Sequence, residues 1–182
     1  ARILRARGHE VQTRFYVDDV GKQVAMLAYG YSLLGEPAPA GKPDQWLGLL
    51  YACVNCSVQI ETLKAQISRI RELPDSEETL LESTRELDDW TSVARELESI
   101  DSALFQRTLK AVQSRTDPMQ EVDRIVSQYE KGDKETRRLV RAVAELSLRG
   151  IRDTLEQVGI VFDEWDWESE LVWSGEVQDL NR

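Results

Sequence analysis

Histidine and cysteine are nearly absent from this chain: its 182 residues include His9 alone of the first kind and only Cys53 and Cys56 of the second. That scarcity excludes several chemistries. Cys53 and Cys56 have the spacing of half a structural zinc site, but four ligands are needed and no second pair accompanies them, so no structural metal is expected. Two cysteines do not make a disulfide framework, and a reducing compartment, the cytoplasm, is the expectation. Both thiols fall in the middle of a helical pattern, away from a helix amino terminus, which suits apolar packing rather than redox work. No Ser-His-Asp set, phosphate-cradling glycine loop or two-histidine metal motif occurs.

Positive charge is also short. With 23 basic side chains against 33 acidic ones the formal net charge is -10, and nucleic-acid affinity comes largely from Lys and Arg displacing counterions. The chain is therefore not itself a main nucleic-acid platform. Its hydrophobic content of 41% can build a core, while 31% charged residues leave it too polar for a membrane span. No repeat period and no low-complexity tract are found.

The start lacks an initiator Met, a helix cap and an apolar signal core. Residues 1–8 read as the last two turns of a helix closed by Gly8. A helix end, then a strand, then a helix is the second half of a βαβ unit, so the chain is expected to be a piece of a longer protein.

What is present begins with a change of period. Val11, Thr13, Phe15 and Val17 alternate with polar neighbours as a strand, whereas Val24, Leu27, Tyr31 and Leu34 recur at helical spacing. The switch falls on Asp18 to Gly21, at the strand's carboxyl end, where open α/β sheets bind ligands. Asp18 and Asp19 are candidates there, and as ordinary helix-start residues they would simply cap the helix that follows. Lys22 and Gln23 lie in its first turn, within reach of a ligand.

Breakers crowd residues 35–43, and a long helix capped by Asp44 is expected to run from there to before Pro74. Asp75 opens another pattern with Leu80, Leu81, Leu87, Trp90, Val93 and Leu97 as core positions. Leu104, Leu109 and Val112 mark a third. Thr116-Asp-Pro118 starts a helix through Val122, Ile125, Val126 and Tyr129, and Lys131-Gly-Asp133 closes it and caps the next. That next helix carries Leu139, Val143, Leu146, Ile151, Leu155 and Val158 and stops at Gly159, before a short strand at residues 160–162. Asp163 to Glu168 then reads either as an exposed loop or as a carboxylate group suited to magnesium, acid/base work or a cationic substrate. Trp165, Trp167 and Trp173 either line a pocket there or pack on the chain's own core.

The expected fold is mainly α with a small α/β part. Residues 1–36 form part of a core, 37–43 a linker, 44–158 a helical insertion or subdomain, and 159–182 a return to the core.

Two separated stretches carry a resemblance. "RFYVDDVGKQVAMLAYG" (14–30) resembles the segment of arginyl-tRNA synthetases that follows the first class I signature, a tyrosine-valine-acid-acid run before a glycine, a basic residue and a glutamine. "GIRDTLEQVGIVFDEWDWESELVWSGEV" (150–177) is similar to a later segment of the same enzymes, with its Val-Gly turn, Phe-Asp pair and Glu-Ser pair. The opening "ARILRARGHEV" is similar to the residues after their His-x-Gly-His signature. The archaeal and eukaryotic-like branch fits best.

The resemblance implies a fragment of a Rossmann-type class I catalytic domain with a helical insertion. The parent would activate L-arginine with ATP and Mg2+ and transfer it to tRNA(Arg), and the fragment alone would be inactive. The His-x-Gly-His and Lys-Met-Ser-Lys type motifs would lie outside these residues, so catalytic residues stay unassigned. Carried over onto the matching positions, Tyr16, Asp18, Asp19 and Gln23 would border the arginine and adenylate pocket, with Asp166, Glu168 and Ser169 near its rim. Acidic residues suit a guanidinium, which pairs with carboxylate in a planar fork. Two rivals stay open: a non-catalytic helical interaction module whose acidic loops and tryptophans dock a partner, and a class I synthetase for another amino acid.

Overall fold

The computed structural model describes residues 1–39, 41–73 and 77–174. Along them run α1 (Arg2–Ala6), β1 (Arg14–Val17), α2 (Lys22–Leu33), α3 (Pro43–Ile70), α4 (Glu77–Ile100), α5 (Ser102–Gln113), α6 (Pro118–Glu130), α7 (Lys134–Gln157), β2 (Glu164–Trp167) and α8 (Glu168–Ser174). The architecture is mainly α with a small parallel sheet of β1 and β2, in which Arg14 pairs with Glu164 and Val17 with Trp167. Parallel pairing requires a crossover, and here the whole helical region supplies it.

α3 is the axis of that region. Cys53, Val54, Cys56, Ser57 and Val58 are all buried, so the helix is covered on several faces; α2, α4, α5 and α7 pack around it. Burial without a partner charge pushes both cysteine thiols up to about 11, which makes them packing groups at neutral pH. The buried Ser57 hydroxyl donates to the Cys53 carbonyl one turn earlier at 2.8 Å, so its polar group is satisfied.

Helix starts follow local chemistry. Asp101, Asp117 and Asp133 accept from the backbone N–H groups of Leu104, Gln120 and Thr136, capping α5, α6 and α7. Pro118 and Pro43 occupy first-turn positions, where a missing N–H costs nothing. Gly132 and Gly159 take positive φ at the ends of α6 and α7.

Several expectations are corrected. Asp44 does not cap α3: the cap position is Lys42, which makes no side-chain capping bond, and Asp44 lies inside the first turn. Neither Asp18 nor Asp19 caps α2; Gly21 holds that position at φ 103°, a conformation open to glycine. Leu81 and Val93 are exposed, because α4 packs mainly against α3 and α5, and Val158 is exposed beyond the last turn of α7. The second strand is not at residues 160–162 but at Glu164–Trp167, so most of the acidic stretch is strand rather than loop. Asp75 and the stretch from Gly175 onward lie outside the described residues.

The reason for that displacement is alternation. Glu164 and Asp166 point to one face and Trp165 and Trp167 to the other, a period of two that a charged strand tolerates once its like charges are offset. Arg14 on β1 offsets them, pairing with Glu164 and lying 3.6 Å from Asp166. On the other face Phe15, Phe162 and Trp165 form an aromatic cluster with centroids 4.6 to 5.9 Å apart.

α2 meets α3 at Gly30. A methyl group there would collide with the buried Val54 side chain, which has no room to move. Gly30→Ala is expected to lose about 1–3 kcal/mol despite alanine's higher helix propensity. Urea unfolding of the variant against the parent chain measures it; a gain in stability would show that the crossing can open.

Candidate functional site at the strand ends

β1 and β2 end side by side at Val17 and Trp167, so the two residues that follow each strand share one edge. Asp18 and Asp19 follow the first; Glu168 and Ser169 follow the second. Asp19 is fully buried, and its carboxylate collects donors from three separate elements. Ser169 donates from its backbone N–H at 2.9 Å and from its hydroxyl at 2.7 Å. The Tyr129 hydroxyl donates from α6, and Arg141 Nε of α7 stands 3.4 Å away. Asp19 therefore does cap a helix: α8, whose first turn lies 150 positions later in the chain.

Arg141 is held as firmly as its partner. Its guanidinium lies 3.8 Å over the Trp167 ring and 5.4 Å from that of Trp173, and it donates to the Ser169 hydroxyl at 2.9 Å. Trp173 in turn donates from Nε1 to the Tyr129 carbonyl at 2.8 Å and meets the Tyr129 ring edge to face. Arg137 covers the same indole at 3.6 Å. Trp167 and Trp173 are thus packing partners of α7 arginines, and Trp165 sits beneath Arg152 at 4.2 Å.

Beside this buried group lies an open one. The Glu168 carboxyl lies near Asp18 and Tyr16, and its proton affinity is raised first by burial and then by Asp18. Tyr16 is likewise pushed up by desolvation and next by Glu168. Behind Asp18 opens a cavity of about 360 Å³ between β1, α2, α3 and α7. Its walls are mostly apolar, with Leu47, Tyr51 and Leu148 among them, and Asp18, Gln23, Asp44 and Ser147 bring polar groups to it. Asp44 Oδ2 accepts from Lys42 at 2.7 Å, whereas its Oδ1 is buried with no hydrogen-bond donor. Asp44 rests against Gly150 of α7, where a side chain would displace it.

Chemically, the arrangement offers carboxylates beside apolar walls at a strand edge, a setting for a cation on an apolar stem. Over 181 residues the chain is 39% identical to arginine–tRNA ligase of Sulfolobus acidocaldarius, covering 99% of this chain and 29% of that protein. It is 37% identical to the ligase of the same name from Saccharolobus solfataricus over 99% of its length, and 36% identical to that of Pyrobaculum islandicum over 96%. The chain is similar to proteins of this name along nearly its whole length. It spans under a third of the length of these curated relatives. No protein-family model and no solved structure matches it.

Against the seven positions taken from the synthetase motifs, the structure makes a division. Asp18 and Gln23 line the cavity. Tyr16 and Glu168 stand with Asp18 on the open edge, and Asp166, opposite Tyr16 in the sheet, is turned to Arg14. Asp19 and Ser169 are in the buried group and do not face the cavity. Lys22 pairs with Asp123 of α6 at 3.0 Å. Tyr129, Arg141 and the cavity side of Asp44 were missed. Tyr129 reads from sequence as a core position of α6, Arg141 as one of many α7 charges, and no local pattern joins either to Asp19.

Two outcomes follow. Asp19→Ala leaves Tyr129 and Ser169 without their acceptor and Arg141 without its buried counter-charge, and should cost about 3 kcal/mol in urea unfolding, whereas the exposed Asp18→Asn should stay within about 1 kcal/mol. Burial, and then the bond to Asp19, push the Tyr129 phenol up to about 12 from an ordinary 10.0. The folded value lies above the unfolded one, so this stabilisation is complete below pH 10 and is lost as pH rises through 12. Tyrosinate absorbance and unfolding free energy followed together over that range should show it, and Tyr129→Phe should remove it.

Proposed function

We propose that the chain is part of a catalytic domain whose parent activates L-arginine with ATP and transfers it to tRNA(Arg). The observation that carries this reading is the similarity to arginine–tRNA ligases over the full length of the chain. In the proposal, residues 1–36 and 159–182 belong to a Rossmann-type catalytic core, 37–43 link, and 44–158 are an insertion between the two strands. The parent works in the cytoplasm, and among the described residues no helix is long and apolar enough to cross a membrane.

Arginine-adenylate formation is an in-line attack of the substrate carboxylate on the α-phosphate of ATP, so its catalysis is chiefly positioning and charge stabilisation. The strand-end cavity suits the amino acid's share of that task. Apolar walls accept a methylene stem, and Asp18, with Gln23 beside it, offers a guanidinium carboxylate and amide oxygens. Tyr16 and Glu168 lie next to Asp18, and Asp166 is on the same face farther out. Asp19 and Ser169 hold the edge in place from behind. Mg2+ enters with the ATP phosphates in this proposal; among the described residues no group of three metal-ligating side chains is gathered. The acidic net charge leaves the gripping of tRNA to other parts of the parent.

Arginine-dependent exchange of pyrophosphate into ATP by the parent-length protein tests the reading. Exchange with arginine alone among the amino acids is expected, and Asp18→Asn should raise the KM for arginine roughly tenfold, the loss of one charged hydrogen bond. Exchange driven by a different amino acid would overturn the assignment.

A further inference from the structure

Asp19 and Ser169 each stand one residue beyond Asp18 and Glu168, so whatever fixes the buried pair also fixes the pair before it. Two of the groups that fix it come from the helical region: the Tyr129 hydroxyl in the last turn of α6 and the Arg141 guanidinium in α7. Neither residue lines the cavity. We propose that Tyr129 and Arg141 are positioning residues for the substrate site, holding Asp19 and Ser169 so that Asp18 stays at the cavity mouth with Glu168 beside it. The inference rests on the arginine-activating reading given above and assigns a task to helices that the reading itself leaves idle.

The geometry supports a positioning device rather than a pair of incidental contacts. Trp173 joins the two donors, since its indole N–H bonds the Tyr129 carbonyl while Arg141 lies 5.4 Å from its ring. A closed circuit results, Asp19 to Tyr129 to Trp173 to Arg141 and back. Arg141 uses Nε toward Asp19 and Nη2 toward the Ser169 hydroxyl and Glu170, so one planar side chain grips the residues that follow both strands. The Ser169 hydroxyl accepts from Arg141 and donates to Asp19, so it links the two charged side chains. A lysine could supply charge at position 141 but neither the fork nor the stacking. A phenylalanine at 129 would keep the ring on Trp173 and delete only the bond to Asp19.

The parent-length enzyme with Tyr129→Phe, Arg141→Lys and Asp18→Asn, singly and as the Tyr129→Phe/Asp18→Asn double variant, provides the test by steady-state pyrophosphate exchange. Tyr129→Phe and Arg141→Lys should each raise the KM for arginine roughly tenfold and leave the KM for ATP within about twofold. The double variant should be no worse than Asp18→Asn alone, because both changes act through one side chain. A loss of kcat with both KM values unchanged, or additive effects in the double variant, would reduce the two residues to structural support and overturn the proposal. Should Asp18→Asn leave the arginine KM unmoved, the substrate assignment of the cavity mouth falls and this inference with it. If Asp18→Asn acts and the other two do not, the inference alone falls. Ser169→Ala, which removes a hydroxyl from the same group, replaces Arg141→Lys if that variant does not fold.

Discussion

A single buried carboxylate organises the meeting of sheet and helices. The Asp19 carboxyl, enclosed by protein, is tolerable only because Ser169, Tyr129 and Arg141 surround it with donors, and the cost of removing any one falls on those that remain. Since the donors come from α6, α7 and α8, the requirement to satisfy one group becomes a requirement on the placement of three helices. The apolar core around α3 can be filled in several ways by side chains of similar volume. The Asp19 group admits one arrangement, and the edge where the two strands end inherits that definition.

Most of the helical region is legible in the sequence because its signals are local. Asp117 with Pro118 and Asp133 after Gly132 announce helix starts through contacts three residues long, and the structure places α6 and α7 accordingly. Asp19 shows where such reading stops. Its expected work as a helix cap is the work it does, yet the capped helix is α8 rather than the adjacent α2, and a partner 150 positions away leaves no mark in the spacing of neighbours. The position of β2 is hidden from the sequence for a related reason. The apolar run at residues 160–162 looks like a strand, but two glutamate and aspartate side chains on Glu164 and Asp166 can occupy one only when Arg14 is opposite, and that depends on tertiary pairing.

The candidate site divides along the same line. Asp18, Gln23, Tyr16 and Glu168 lie within a few residues of a strand end, so period and turn chemistry lead to them. Asp44 reaches the cavity from the start of α3 and Tyr51 from one face further along it, positions set by how α3 crosses α7 at Gly150. Nothing in the sequence around Asp44 distinguishes that role from ordinary first-turn acidity. Electrostatics also reads differently in three dimensions. The net excess of acid describes the chain as a whole, while at the tryptophans basic groups gather: Arg137, Arg141 and Arg152 each lie on an indole face, their charge partly offset by ring electrons as well as by carboxylates.

The parallel pairing of β1 with β2 has a bearing on the order in which the molecule assembles. Arg14 and Glu164 are separated by 150 residues of chain, yet the entropy of closing so long a loop grows only with the logarithm of its length. Once the helices have packed, α2 and α7 are in contact, and β1 before the one and β2 after the other are brought near each other. Pairing over so large a separation is favoured late, after local helical contacts, so the strand-end edge is expected to complete itself after the helices that support it.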